Sequence, residues 1–293
     1  MNLRSLFLSC GLAIVSAAAA LGQIDASLAL AKNQFVAGEA VQATVTITNQ
    51  TGQDLVFAGS ERQPWLDFVI KRSSSSELAI PTGSFNFGTV RIPAGQTMAR
   101  QVNLSSAFNL AEQGNFSVYA VIRAPGQTSG GTITNRVLFN VSNGRAYWSQ
   151  KVGVRGDASK VREFRILNYA GDQKTLLYVQ VVNDRTGTPI RTYPLGDALM
   201  FRKPQITVDH NQNLHVFFLN SPTIWTHAVV DTDGKLVHSE FFTRAATGDP
   251  VLLTQQGGVV TVGNGALYDP KAIEAEKNRA RKASDRPIIT SQN

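Results

Sequence analysis

The sequence predicts an all-β protein of two modules, a β-sandwich followed by repeated four-stranded units, with one short helix near the C-terminus. Two observations carry this. Between residues 25 and 141, short runs of alternating apolar and polar residues recur between turn residues at the spacing of a sandwich. From residue 175 onward the chain matches itself at a distance of 46 to 47 residues, the period of a four-stranded unit.

The chain opens on an export signal. Arg4 precedes an apolar run over residues 6–20, and Ala20-Leu21-Gly22 supplies small residues for cleavage, so residues 1–22 read as a signal peptide with Gln23 as the mature start. The run is shorter than the roughly 20 residues a spanning helix needs. Phe7-Leu8-Ser9-Cys10 loosely matches a lipidation motif, but the apolar run continues past the cysteine, which favours ordinary cleavage. Cys10 is the only cysteine of the 293 residues. The mature chain therefore has no thiol chemistry, disulfide or cysteine-ligated metal. Nothing after residue 23 is long and apolar enough to cross a membrane. A periplasmic or secreted location is expected.

Over residues 24–143, eight strands are expected at 26–31, 41–48, 54–57, 66–70, 90–92, 99–104, 116–123 and 136–141. Val41, Ala43, Val45 and Ile47 alternate with polar residues, so one face enters a core and the other stays wet. Gly38-Glu39, Asn49-Gln50-Thr51-Gly52 and Pro93-Ala94-Gly95 are turns, with glycine permitting positive φ. Ser73, Ser74, Ser75 and Ser76 form an exposed loop tip.

Phe35-Val36-Ala37-Gly38-Glu39-Ala40-Val41, Ile47-Thr48-Asn49, Trp65, Ile92-Pro93-Ala94-Gly95 and Gly114-Asn115-Phe116-Ser117-Val118-Tyr119-Ala120 together resemble exported immunoglobulin-like domains. The segment is similar to macroglobulin-type sandwiches and to the bacterial proteinase inhibitor-like domain. The resemblance implies an immunoglobulin-like β-sandwich without the cysteine pair of antibody domains.

Residues 145–268 hold the repeat. Tyr178 and Trp225, Asp184 and Asp231, and Gly187 and Gly234 lie 47 residues apart; Pro204 and Pro250, and Val216 and Val262, lie 46 apart. One unit is expected to contain strands at 175–182, 189–193, 205–208 and 214–219, and the next to start its strands at Thr223, Lys235, Val251 and Val259. A half unit with Tyr147-Trp148 and residues 164–167 precedes them. Pro204-Gln205-Ile206-Thr207-Val208-Asp209 and Asn213-Leu214-His215-Val216-Phe217 resemble the strand pattern of sialidase-type propeller repeats. The Asp-box and arginine triad of that family are absent. About two and a half propeller-like blades fall short of the four that closed propellers usually need, so an open array packed on the first module is expected.

Residues 269–293 complete the chain as an exposed helix and frayed tail. Asp269-Pro270 starts a helix over 271–282, and Pro287 ends any continuation. The formal charge of +7 falls to +6 without Arg4, and +3 of that lies in residues 271–293. The body is nearly balanced, which excludes a nucleic-acid footprint.

No catalytic, cofactor-binding or metal residue is assigned. The four histidines, His210, His215, His227 and His238, share no ligand spacing, although His215 and His227 face one another if both lie on strands. Asp231-Thr232-Asp233-Gly234 begins like a calcium loop, but Asp-Gly before a returning strand reads better as a hairpin turn. Glu39, Asp67 and Glu163 give no acid–base pair from sequence. Neither a nucleophile elbow nor a phosphate loop occurs. Trp65 and Trp225 read as core residues, while Trp148, between the modules, is the candidate contact for a partner.

These features point to an exported, non-enzymatic binding or scaffold protein of the bacterial cell envelope, with no cofactor and a protein or glycan partner, alone or as an oligomer. The alternatives are a proteinase inhibitor-like ligand acting through a loop of the first module, and a divergent glycan hydrolase.

Overall fold

The computed structural model describes residues 24–60, 63–73, 77–125, 130–170, 175–269 and 274. The expected signal peptide, Ser74 to Ser76 and, apart from Glu274, the expected helix over 271–282 lie outside them. The chain is all-β, 61% strand, and its four larger sheets stand in a ring that resembles a four-bladed propeller. Among the described residues no helix is long and apolar enough to cross a membrane.

The first half contributes β1 (Ile24–Leu30), β2 (Gln34–Val36), β3 (Gln42–Asn49), β4 (Leu55–Phe57), β5 (Leu66–Arg72), β6 (Val90–Ile92), β7 (Thr97–Asn103), β8 (Gly114–Ile122), β9 (Thr132–Ile133) and β10 (Val137–Ser142). One sheet has the order β1-β3-β7, another β2-β10-β8-β5, and β4 pairs β6. The two larger sheets face each other across one core. Ala43, Val45 and Ile47 from β3 meet Phe68, Ile70, Val118, Ala120 and Phe139 from the opposite sheet. Alternation explains the arrangement, because every second residue of β3 points inward and the threonines between stay at the rim. Trp65, 2% exposed, lies against Phe57 and Phe87 and donates its indole N–H to the Gly88 carbonyl at 2.8 Å, as a core anchor should.

The second half contributes β11 (Arg145–Val154), β12 (Asp157–Ala170), β13 (Thr175–Asn183), β14 (Pro189–Asp197), β15 (Gln205–Val208), β16 (Leu214–Ser221), β17 (Ile224–Val230), β18 (Leu236–Arg244), β19 (Val251–Thr254), β20 (Val260–Gly263) and β21 (Gly265–Leu267). β11 to β14 form one antiparallel meander, β15 to β18 a second with β21 on its edge, and β19-β20 a lone hairpin. These are the repeats seen in the sequence, with a different phase. The expected unit 175–219 is split, since β13 and β14 end one sheet while β15 and β16 begin the next. A sequence period fixes equivalent strands but not where a sheet starts. Where an open array of about two and a half blades packed on the first module was expected, the four larger sheets, two from each half, stand in a propeller-like ring.

Separate apolar clusters fill the spaces between sheets. Phe164, Ile166, Leu177, Val179 and Val181 pack against Leu214, Val216, Phe218 and Val230. The opposite face of the β15–β18 sheet packs Phe217, Leu219 and Trp225 under Leu252 and Val262 of the β19-β20 hairpin. Strands buried on both faces are mostly apolar, as β13, β16 and β17 are, with Gln180, His215, Thr226 and His227 as their buried polar residues.

Candidate functional site

Two polar constellations stand out against this apolar background. The first lies on the face of the β15–β18 sheet that also carries Phe217 and Trp225. Strand register sets it: Phe217 is opposite His227, His227 is opposite Glu240, and Val229 is opposite His238. Opposed residues share a face and side chains repeat every second residue, so His215, His227, His238 and Glu240 all project from that side.

His215 Nδ1 lies 3.0 Å from His227 Nε2, and His215 Nε2 lies 3.3 Å from Asp209 Oδ2. The two rings stack at 5.2 Å, and the His238 ring stands edge-on to His227 at 5.7 Å. Both inner histidines are buried, at 5% and 4% exposure, while His238 and Glu240 are exposed. Burial pushes the His215 pKa down against the opposing pull of Asp209. Burial, with His215 and His238 adding to it, lowers His227 to about 4. Burial works to raise Asp209, but hydrogen bonds from Asn213 and His215 outweigh it and hold the carboxyl below its usual value. The contacts run in one line from Asp209 through His215 to His227. With the His215 proton on Nε2, facing the carboxylate, its Nδ1 accepts from His227 Nε2–H.

Asp209 is placed by its own turn. Its Oδ1 accepts the backbone N–H groups of Asn211 and Asn213, both at 2.8 Å, and the positive φ falls on Gln212 at 65°. Asp231 does the same on the next hairpin, accepting from Asp233 at 3.0 Å and Lys235 at 2.8 Å with Gly234 at φ 75°. Asp231 thus stands in a hairpin turn, the reading preferred from the sequence. At Asp184, the sequence counterpart of Asp231, the role passes to Asn183, whose Oδ1 accepts the Arg185 N–H at 3.1 Å, and Asp184 instead pairs with Lys151 at 2.8 Å.

The second constellation joins the two halves of the chain. Lys32 Nζ donates to Glu39 Oε1 at 2.6 Å and to the Tyr178 hydroxyl at 2.8 Å, and lies over the Phe35 and Tyr178 rings. Glu39 Oε2 accepts the Val36 N–H at 3.0 Å. Gln180 Nε2 donates to the Ala37 carbonyl at 3.0 Å and to Thr192 Oγ1 at 3.2 Å, while Tyr169 bonds Gln34. Val36, Leu167 and Tyr178 form a small apolar core beneath these groups. Burial, followed by the Glu39 charge, raises the Tyr178 pKa, so its hydroxyl stays protonated. Beside the junction runs a groove of 580 Å³, lined among others by Glu39, Asn103, Phe108, Leu110, Pro189 and Ile190.

Trp148 is half-buried on β11 and packs against the β11–β18 core, next to a register shift after Ala146. Ser73 is exposed, with its N–H on the Asn115 carbonyl. The carboxylates considered from sequence are far apart in role. Glu39 serves the junction, Asp67 meets Arg123 at 3.4 Å, and Glu163 meets Arg165 at 2.7 Å. The facing of His215 and His227 was visible in the sequence, whereas Asp209 and Glu240 were not.

No protein-family model matches this chain, and no curated protein does. Among solved structures it is similar to the sporulation control protein Spo0M of Bacillus subtilis, with a TM-score of 0.30 and 9% identity over 90% of this chain and 97% of that one. A likeness at that level supports no functional conclusion.

Proposed function

We propose that this chain is an exported, non-enzymatic binding or scaffold protein of the cell envelope, whose two halves act as one surface for a protein partner. The junction carries the reading. Lys32, Glu39 and Tyr178 lock the halves together with partly buried, charge-assisted hydrogen bonds, and the groove beside them draws its lining from both. A groove built from two fixed walls loses little entropy on binding, which favours recognition of an extended segment. Its mixed lining, apolar at Phe108, Leu110 and Ile190 and polar at Asn103 and Arg191, suits a peptide better than a small hydrocarbon.

Two finer features belong to the same proposal. The signal over residues 1–22 directs export, and the first half, with two sheets across one core, is of immunoglobulin-like type. Chemical crosslinking in intact cells, followed by fractionation, is the test. A defined envelope protein should be recovered with the chain. Recovery of the chain free in every fraction would remove this reading.

A further inference from the structure

The junction leaves unused the histidines and carboxylates on the β15–β18 sheet. We propose that His227, His238 and Glu240 form a binding site for a divalent transition-metal ion of the zinc class, with His215 and Asp209 as its outer shell. The donor set decides the class. Two imidazoles and one carboxylate suit zinc and its first-row neighbours, whereas calcium and magnesium require oxygen ligands.

The geometry is set by pairing rather than by a sequence motif. His227 and Glu240 are directly opposed on β17 and β18, and His238 lies two residues along the same face. One ligand atom from each lies within 4.8 Å of the others. Tetrahedral zinc ligands stand about 3.4 Å apart, given bonds of roughly 2.0–2.1 Å. His238 and Glu240 are exposed and free to close that difference by rotating their side chains. His227 is the fixed point.

The outer shell prepares that fixed point. A metal-bound imidazole needs one nitrogen bare and the other ring N–H held by an acceptor. The line from Asp209 through His215 to His227 supplies such an outer partner, with His227 Nε2 3.0 Å from His215 Nδ1 and His215 Nε2 3.3 Å from Asp209 Oδ2. A buried Asp–His–His line ending beneath an exposed His and Glu has little use as packing alone. Three protein ligands leave a coordination position open to solvent, the arrangement of a site that receives an exogenous ligand.

The test uses the purified mature chain stripped with a chelator. Titration with Co²⁺ should saturate at one ion per chain with visible d–d absorption, and Zn²⁺ should displace it. His238→Ala and Glu240→Gln should each weaken Co²⁺ binding at least tenfold. Asp209→Asn should weaken it by roughly 10-fold to 100-fold, the effect of losing an outer-shell partner. His210→Ala, which alters an exposed histidine outside the cluster, should leave binding unchanged. Melting curves in chelator would confirm that His238→Ala and Glu240→Gln remain folded. Absence of saturable binding, unaltered affinity in those two variants, or loss of binding in His210→Ala would each overturn the proposal.

Discussion

His215 Nδ1 sits 3.0 Å from His227 Nε2, on the sheet face that also packs Phe217, Leu219 and Trp225. Both imidazoles are buried, each is the other's partner, and Asp209 anchors the pair. Replacing His215 with Phe removes both bonds at once, leaving His227 Nε2 without its partner and the Asp209 carboxylate held only by Asn211 and Asn213. The expected loss is about 2–4 kcal/mol in urea denaturation of metal-free protein. His238→Ala, at an exposed position, should cost less than about 0.5 kcal/mol in the same assay.

Glu39 is 8% exposed and holds both Lys32 and the Val36 N–H at the junction. Glu39→Ala leaves that N–H without its acceptor and Lys32 with only the Tyr178 hydroxyl, which should cost about 1–3 kcal/mol. The coupling of the halves should weaken as well. Calorimetry should give one transition for the native chain and two separated transitions for the variant.

Gly38 and Gly52 both have positive φ, 83° and 75°, yet their surroundings differ. A Cβ on Gly38 would approach Pro189 Cβ at 2.8 Å and Thr192 Oγ1 at 2.9 Å, whereas nothing lies within 4 Å of one on Gly52. Gly52→Ala should cost about 1 kcal/mol of backbone strain. Gly38→Ala should cost clearly more, because it also forces β14 away from the first half. Parallel denaturation curves check the ordering.

Burial raises the Tyr193 pKa to about 12, and its hydroxyl is buried with no hydrogen-bond partner. The unfolded chain releases this proton near its ordinary value of about 10 while the folded chain retains it. The unfolded state therefore binds fewer protons above pH 10, and stability falls from there toward pH 12. Its contribution is intact below pH 10. Tyr193→Phe should flatten that alkaline loss and, by removing an unsatisfied hydroxyl, leave neutral-pH stability unchanged or raised by about 1 kcal/mol. Unfolding at pH 8, 10 and 11.5 measures both effects.

Much of the strand pattern was readable because burial on one face writes itself as alternation. Val41 to Thr48 announces β3, and residues 90–92 and 205–208 coincide with β6 and β15. The short β2 was missed, since three residues give no period and its partner β10 lies more than a hundred residues on. The matches of Tyr178 with Trp225 and Gly187 with Gly234 identified equivalent strands, but sheet phase depends on which neighbour a strand meets in space. The polar clusters were hidden for the same reason. Glu240 faces His227 only through the register of the β17–β18 hairpin, which shifts at Val229/Val230, and Tyr178 meets Lys32 only once the halves pack.

The claim that the junction groove is a partner site is tested most directly by site-specific photo-crosslinking in intact cells. A photoreactive residue would replace Ile190, 40% exposed in the groove, or Phe201, 81% exposed away from it. The proposed function predicts one defined protein adduct from position 190 and none from position 201. No adduct at 190, or the same adducts from both positions, would contradict it.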